Sequence, residues 1–475
     1  MGSILSFPSQ NPLEKLRYRV SSAEVSSKRL KISTDHGKDN SRLIPSLPDE
    51  ISLLILARVP RVYYLGLKLV SRSWKAAFCN AEIYQLRKEL GTTEEWLYIL
   101  TMVEEKLLLH GLDPLSRRWQ RLPAMPNLVF EEESKMCLSE FLMWNMMGAR
   151  FRIADLITGW FGRKDTLERL PFCGCATGAV DGCLYVLGGF SRASAMRCAW
   201  RYNPMENIWQ EVSSMFTGRA FCKVSILNDK LYVVGGVSKG RGGLTPLQSA
   251  EVYDPKTNVW MEVQSMPFSK AKTLSTAFLA ELLKPIATGM NSYIGRLFVP
   301  QSLYSWPYFV DVGGEIYDPE TDTWADMPAG MGEGWPARQA GTKLSVVVNG
   351  DLYALEPSGS LDSGKIKMYD YQAGAWKVVI SNVPVHDFTD SESPYLLASL
   401  LGKLHVITKD ANNVTAVLQV DLKNGGVMLE NPSSNASIST CENFSSSDTR
   451  LDVWKVVASK NFGAAELASC LVLDI

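Results

Sequence analysis

Histidine is the scarcest chemically useful residue in this chain. Four of 475 residues carry an imidazole, His36, His110, His386 and His405, and they fall in unrelated stretches. Catalytic dyads and multi-histidine metal sites need convergent imidazoles, so the sequence has little to build one from. Charge of one sign is missing too: 49 Lys+Arg stand against 50 Asp+Glu, for a net charge of −1. Nothing global therefore points to nucleic acid or to an anionic membrane surface. No apolar run reaches the roughly 18 residues of a membrane span, and no signal-peptide-like run opens the sequence, so no transmembrane contact is expected. The nine cysteines are odd in number and scattered, which suits reduced thiols in the cytoplasm and/or nucleus rather than a disulfide framework. Cys173-Gly174-Cys175 is too tight for a zinc pair and has no second pair to complete it. A phosphate-cradling GK[ST] loop is absent, and acid pairs such as Asp318 and Glu320 belong to turns. No metal, cofactor or catalytic residue is expected.

What the chain has instead is a repeated phrase. Asp254-Pro255 runs to Trp260, and the spacing recurs as Asp318-Pro319 to Trp324, Asp113-Pro114 to Trp119, Asn203-Pro204 to Trp209 and, in a worn copy, Asp370 to Trp376. The Trp always stands six positions after the Asp or Asn, and Tyr202, Tyr253, Tyr317 and Tyr369 precede four of the five copies. An aromatic strand residue, an Asx-initiated turn and a Trp on the returning strand describe a β-hairpin. A second phrase comes earlier in each unit. Leu184-Tyr185-Val186-Leu187-Gly188-Gly189 and Leu231-Tyr232-Val233-Val234-Gly235-Gly236 are its sharp forms, and Leu297, Leu352 and Leu404 open weaker ones. These leucines lie 47, 66, 55 and 52 residues apart.

On these residues the chain resembles kelch repeats, whose period is about 50, and the resemblance implies a β-propeller of four-stranded blades. The first segment of the array, from residue 94, supplies only three strands: Trp96 to Leu100, Lys106 to Leu112 and Trp119 to Leu122. The C-terminal segment Ala465–Val472 is expected to supply the fourth, which would leave no open sheet edge. With the five leucine-marked units this makes a mainly β fold, a six-bladed kelch-type propeller over 94–475. Insertions at about 127–170, 267–288 and 422–453 must loop out of it.

Residues 1–42 are polar and lack periodic apolar positions, and read as a disordered tail. Met1-Gly2 with Ser6 fits the short N-myristoylation pattern, and Lys28-Arg29-Leu30-Lys31 reads either as a nuclear address or as a solvated basic tail. From Leu43 to Leu90 the text is helical. Pro48-Asp49-Glu50 makes a good helix start, and Ile51, Leu54 and Ile55 follow on one stripe. A bundle of under fifty residues buries little core, so its apolar positions either close on one another or face a partner. Leu47-Pro48-Asp49-Glu50, Ile55-Leu56, Val59-Pro60, Val70-Ser71 and Trp74 stand in the order and spacing of an F-box, which this stretch resembles. The resemblance implies docking onto a Skp1-like adaptor of a cullin-RING ubiquitin ligase through Leu47, Pro48, Ile51, Ile55, Leu56, Val70 and Trp74. Only Gly91-Thr92-Thr93 separates this module from the first strand, so it should sit at a restricted angle to the array.

Strand parity sorts the loops. Loops after strand two and the connections between blades share one face, and the helical module enters from the other. The first face carries Arg192, Arg197, Arg241, Trp306 and Trp335, and Arg219 and Arg338 stand about one strand ahead of Leu231 and Leu352, near the channel mouth. In similar kelch domains arginines at blade entrances bind acidic peptide segments, because guanidinium forms paired hydrogen bonds with carboxylates. These seven residues are the candidate substrate site; for any one of them, solvated loop charge is the plainer reading. The stretch from Met136 to Phe161, aromatic and basic by turns, reads as an amphipathic segment lying on a membrane, on a partner or on its own propeller.

From Leu43 onward the chain resembles the plant F-box/kelch-repeat proteins. That implies a non-catalytic substrate receptor with two partners, a Skp1-like adaptor and a protein target. The alternative is a kelch scaffold that binds a protein without degrading it. A propeller oxidase of the copper type would need several convergent histidines.

Overall fold

A computed structural model describes residues 42–103, 106–126, 174–190, 194–240, 243–268, 286–305, 308–332, 334–335, 344–356, 364–383, 395–410, 412–420 and 454–475. The expected tail, the basic run at 28–31, the 136–161 segment and nearly all of the three insertions lie outside these residues.

The helical module comes first. Pro48 caps α1 (Asp49–Leu56), with Asp49 and Glu50 against the positive end of its dipole. The second helical stretch is short: a 3₁₀ turn (Arg61–Tyr63) runs into a single turn, α2 (Tyr64–Leu67). Ser71 accepts the Trp74 N–H at the start of α3 (Arg72–Cys79), and Gly91, at φ 62°, terminates α4 (Ala81–Leu90) in the left-handed conformation that glycine adopts without steric cost. Leu56, Ala57, Tyr64, Ala77, Phe78 and Ile83 form its core.

Strands then come four to a sheet. The first sheet holds β1 (Glu95–Val103), β2 (Lys106–Asp113) and β3 (Arg118–Arg121). The second holds β4 (Ala176–Val180), β5 (Cys183–Leu187), β6 (Ala199–Asn203) and β7 (Ile208–Val212). In the third, β8 (Lys223–Leu227) and β9 (Lys230–Val234) lead into a projecting hairpin, β10 (Val237–Gly240) and β11 (Gly243–Pro246), before β12 (Ala250–Asp254) and β13 (Val259–Val263). The fourth has a broken inner strand, β14 (Ile286–Ala287) and β15 (Asn291–Tyr293), then β16 (Arg296–Ser305), β17 (Tyr308–Asp318) and β18 (Thr323–Asp326). The fifth holds β19 (Ser345–Val348), β20 (Asp351–Glu356), β21 (Gly364–Asp370) and β22 (Ala375–Val383). The sixth holds β23 (Tyr395–Leu400), β24 (Lys403–Lys409), β25 (Val414–Val420) and β26 (Trp454–Asn461).

The last strand, β27 (Glu466–Asp474), returns to the first sheet and pairs antiparallel with β1 from Glu95↔Asp474 to Met102↔Glu466. The inner strands β27, β4, β8, β15, β19 and β23 touch in that order, and β23 touches β27 again. The fold is a six-bladed β-propeller whose ring is closed by the two ends of the array.

The repeated phrase explains how neighbouring blades are joined. Tyr202, Tyr253 and Tyr317 donate their hydroxyls to Asn207, Asn258 and Asp322 at 2.6–2.8 Å, and these acceptors all sit at positive φ in the turn. In blades two to five the repeat Trp packs against the Tyr of its own blade and donates its indole N–H to the preceding blade. Trp209 reaches the carbonyl of Pro123, Trp260 that of Ser213, Trp324 that of Gln264 and Trp376 that of Met331, at 2.6–3.0 Å. The Gly pairs serve close approach as well as turning. A β-carbon on Gly188 would lie 2.2 Å from the Arg219 carbonyl oxygen, and one on Gly236 2.5 Å from that of Ala220.

Two of the four histidines are packed into this architecture as neutral groups. Burial, aided by Lys460 and Arg121, pushes His110 down to about 4, and burial also pushes His405 down to about 4. An unfolded histidine titrates near 6.5, so below that pH the unfolded chain binds more protons than the folded one. The stability they leave intact is full above about 6.5 and is lost as pH falls towards 4. By pH 5 each histidine is expected to have cost about 1–2 kcal/mol, read as a falling urea midpoint between pH 7 and 5. The fall should be shallower in His405→Gln.

Candidate functional site

Two surfaces matter: the exposed side of the helical module and the propeller face opposite it. The module is bolted to the first two blades by buried polar contacts. Arg61 donates from its guanidinium to the Tyr98 hydroxyl at 2.6 Å and to the Pro204 carbonyl at 3.5 Å, lies 4.8 Å over the Trp96 ring, and gives its backbone N–H to the Glu94 carboxylate. Arg87 pairs with Glu94 at 2.9 Å and also donates to the Ala57 and Val59 carbonyls and the Tyr64 hydroxyl. Lys68 reaches the Met205 carbonyl. Pro204 and Met205 lie in the turn after strand three of the second blade, and the corresponding turn of the first blade puts Arg118 over the Tyr63 ring. The module therefore sits on the face of the strand-three turns. The β10–β11 hairpin and the long β16–β17 arm follow second strands and leave from the opposite face.

The module leaves several large apolar side chains in water. Ile51 and Ile55, one turn apart on α1, are each 43% exposed, Leu69 is 86% exposed, and Leu65 and Val70 are exposed too. A small soluble bundle that closed on itself would not leave so many large apolar side chains in water. Of the positions expected to dock a partner, Ile51, Ile55, Val70 and Pro48 are exposed and Leu47 is half-buried. Leu56 is a correction: it is fully buried in the module's own core, where it cannot also meet a partner. Trp74 is half-buried, packs edge-on against Phe78 and gives its indole N–H to the Leu43 carbonyl at 2.6 Å, so much of its surface is already used. Leu65 and Leu69 went unpredicted, although their i, i+4 spacing was a usable signal.

On the opposite face two expected binding residues are interior. Arg219 is 0% exposed: it pairs with Glu251 at 2.5 Å and donates to the carbonyls of Gly235 and Ser249 and to the Ser249 hydroxyl. Glu251 in turn accepts the N–H groups of Phe216 and Thr217, so the pair ties the blade two-to-three connection to the third sheet. Trp335 is buried against Trp376 and gives its indole N–H to the Ser345 hydroxyl at 3.2 Å. A desolvated arginine whose two terminal nitrogens already meet four acceptors, and whose remaining Nε is itself buried, presents no donor on the surface for a ligand carboxylate. Arg197 is exposed, whereas Arg192, Arg241, Trp306 and Arg338 lie outside the described residues.

No catalytic arrangement is assembled among the described residues, nor any group of three or more His, Cys, Asp or Glu able to hold a metal. Gly236-Val237-Ser238-Lys239-Gly240 has the spacing of a nucleophile elbow. Ser238, however, sits inside the β10 strand opposite Thr245, not at a strand-to-helix turn. The six described cysteines, Cys79, Cys175, Cys183, Cys198, Cys222 and Cys470, form no disulfide and are buried or half-buried, and burial pushes Cys183, Cys198 and Cys222 up to about 11, away from reactivity. No helix among the described residues is long and apolar enough to cross a membrane.

Arg219→Met is expected to cost about 3–5 kcal/mol, because it leaves the Glu251 carboxylate buried and unpaired. The double change Arg219→Met/Glu251→Leu should recover most of that loss in a urea titration. Arg61→Ala should raise hydrogen exchange across residues 43–90 by about tenfold or more while leaving the blades protected, since it releases the module without opening the ring.

Comparison with known proteins agrees with both parts. The F-box domain family model matches residues 44–86, and the Kelch motif model matches residues 171–216 and 218–267. The F-box/kelch-repeat protein At1g22040 of Arabidopsis thaliana is 57% identical over 478 residues, covering 100% of each chain. The F-box protein AFR of the same plant is 27% identical over 67% of this chain and 69% of its own. The F-box/kelch-repeat protein SKIP4, also of Arabidopsis thaliana, is 24% identical over 82% of this chain and 88% of its own.

Proposed function

This chain belongs to the F-box/kelch-repeat proteins, and from that premise we propose that it is the substrate-recognition subunit of a Skp1–cullin–F-box ubiquitin ligase. The observation that carries the reading is the set of uncovered apolar side chains on the module, Ile51, Ile55, Leu65, Leu69 and Val70. Burying them against an adaptor gains about 25 cal/mol for each Å² of apolar surface removed from water.

The division of faces supports the same role. The adaptor would dock on one side of the propeller and the target protein would meet the loops of the other, Arg197 among them, with Arg192, Arg241, Trp306 and Arg338 as further candidates. The propeller forms no bond in this reading. It holds a target lysine near the charged conjugating enzyme, which raises effective concentration. The odd number and scatter of the cysteines support a reducing setting for this work, the cytoplasm and/or nucleus.

Ile51→Asp and Ile55→Asp are expected to abolish co-purification with a Skp1-like adaptor while the propeller keeps its circular dichroism and melting transition. Undiminished co-purification of both variants would remove the ligase assignment and leave a binding propeller of other purpose.

A further inference from the structure

The seam at which the ring closes, between blades six and one, departs from the repeat. In blades two to four the turn residue at positive φ is Asn207, Asn258 or Asp322; Asn258 and Asp322 also accept the N–H of Ser213 and Gln264 in the preceding blade. In blade one that place is held by Arg117, at φ 57°, and the place of the repeat tyrosine by Leu112. An arginine accepts no hydrogen bond, so this stitch is lost. The Trp119 indole N–H is correspondingly buried without a partner, and Phe462 packs on Trp119 and His110 in compensation. A long side chain held in the left-handed region costs about 1–2 kcal/mol, and an outlier of this kind is a reason to ask what the residue does.

Arg117 borders an open cavity of about 180 Å³. Its other walls include Leu115, Leu401, His405, Gln419 and Lys455. Arg117 and Lys455 make no ion pair among the described residues, and the carboxylates nearby are engaged: Asp113 takes the Leu115 N–H and the Ser116 hydroxyl, and Glu95 takes the Leu401 N–H. His405 is 2% exposed and donates from Nδ1 to the Lys403 carbonyl at 3.0 Å, which leaves Nε2 as an acceptor. Leu115 is 73% exposed, and Leu401 is exposed across from it. The groove thus offers two cations, an acceptor, an amide and an apolar lip. It opens on the module's side of the propeller, because its wall, the Asp113–Arg118 turn, is the one whose Arg118 packs on Tyr63.

We infer that this groove is a second docking point for the adaptor that binds the helical module, taking an acidic, apolar-flanked peptide segment of that subunit. Its carboxylates would meet Arg117 and Lys455, and its apolar side chains Leu115 and Leu401. This rests on reading the module as an adaptor-docking F-box, and charge complementarity at such a rim acts mainly on orientation and capture rate.

The test is calorimetric affinity of the full chain for a purified Skp1-like adaptor at about 50 and about 300 mM salt, where screening differs severalfold. Arg117→Asn/Lys455→Gln restores the residue type of the other blades at 117, so the fold is retained. It is expected to weaken binding about 3–10-fold at low salt, and Arg117→Glu/Lys455→Glu more, both losses shrinking at high salt. Ile55→Asp should abolish binding at both. Groove variants within twofold of the parent, or equally weak at both salts, overturn the groove while loss in Ile55→Asp leaves the F-box reading in place. Absence of binding by the parent chain overturns that reading and the groove with it.

Discussion

One carboxylate holds the two parts of this molecule in register. Glu94 accepts from the Arg87 guanidinium, the Arg61 backbone and the Trp96 indole, and its own N–H and carbonyl pair with Ile475 at the end of the closing strand. The helical module, the first blade and the ring closure thus share a single residue. Charges so placed are stable only as a complete set, because losing one partner strands another in a site with little water. The consequence is geometric. The module is a bracket rather than a swinging arm, and the exposed apolar side chains on it keep a fixed relation to the loops on the far face.

That fixed relation gives the three-residue linker its meaning. A flexible tether would let the two faces wander and would lower the effective concentration of anything bound at one for anything bound at the other. Here the bracket also touches the second blade, through Pro204 and Met205, so two contacts set the angle. The far face is free to vary in its hairpin and long arm while the opposite face keeps the strand-three turns that seat the module.

Much of the fold was legible because it is periodic. The Tyr, the Asx turn and the Trp recur at one spacing, and the structure shows why: the phrase is at once a hairpin and the stitch to the preceding blade. Blade number followed from counting leucines. Individual site residues were less legible, since a sequence does not say which way a side chain turns. Arg219 looked like a guanidinium at a channel mouth, yet its partner is Glu251, 32 positions on, and only the folded sheet brings them together. Trp335 was similarly read as a surface aromatic although it fills space beside Trp376. On the module the helical stripe held Ile51 and Ile55, while the F-box resemblance also brought in Leu56, which lies one step round the helix and is buried. Arg117 escaped notice because its oddity is a departure from the repeat, visible only after the turn's acceptor role in the other blades is known.

Ring closure by β27 has a temporal side. Thr93, at the doorstep of β1, and Asp474 are hydrogen-bonded although 381 positions separate them. At about 5–20 residues per second, synthesis of that interval takes on the order of tens of seconds. Throughout, β1 has a bare strand edge on one side and the Arg61–Glu94 bracket lacks its anchor at Ile475. The nascent first blade must be shielded from other edges while it waits, and the demand on chaperones is set by the length of the array rather than by the stability of any blade.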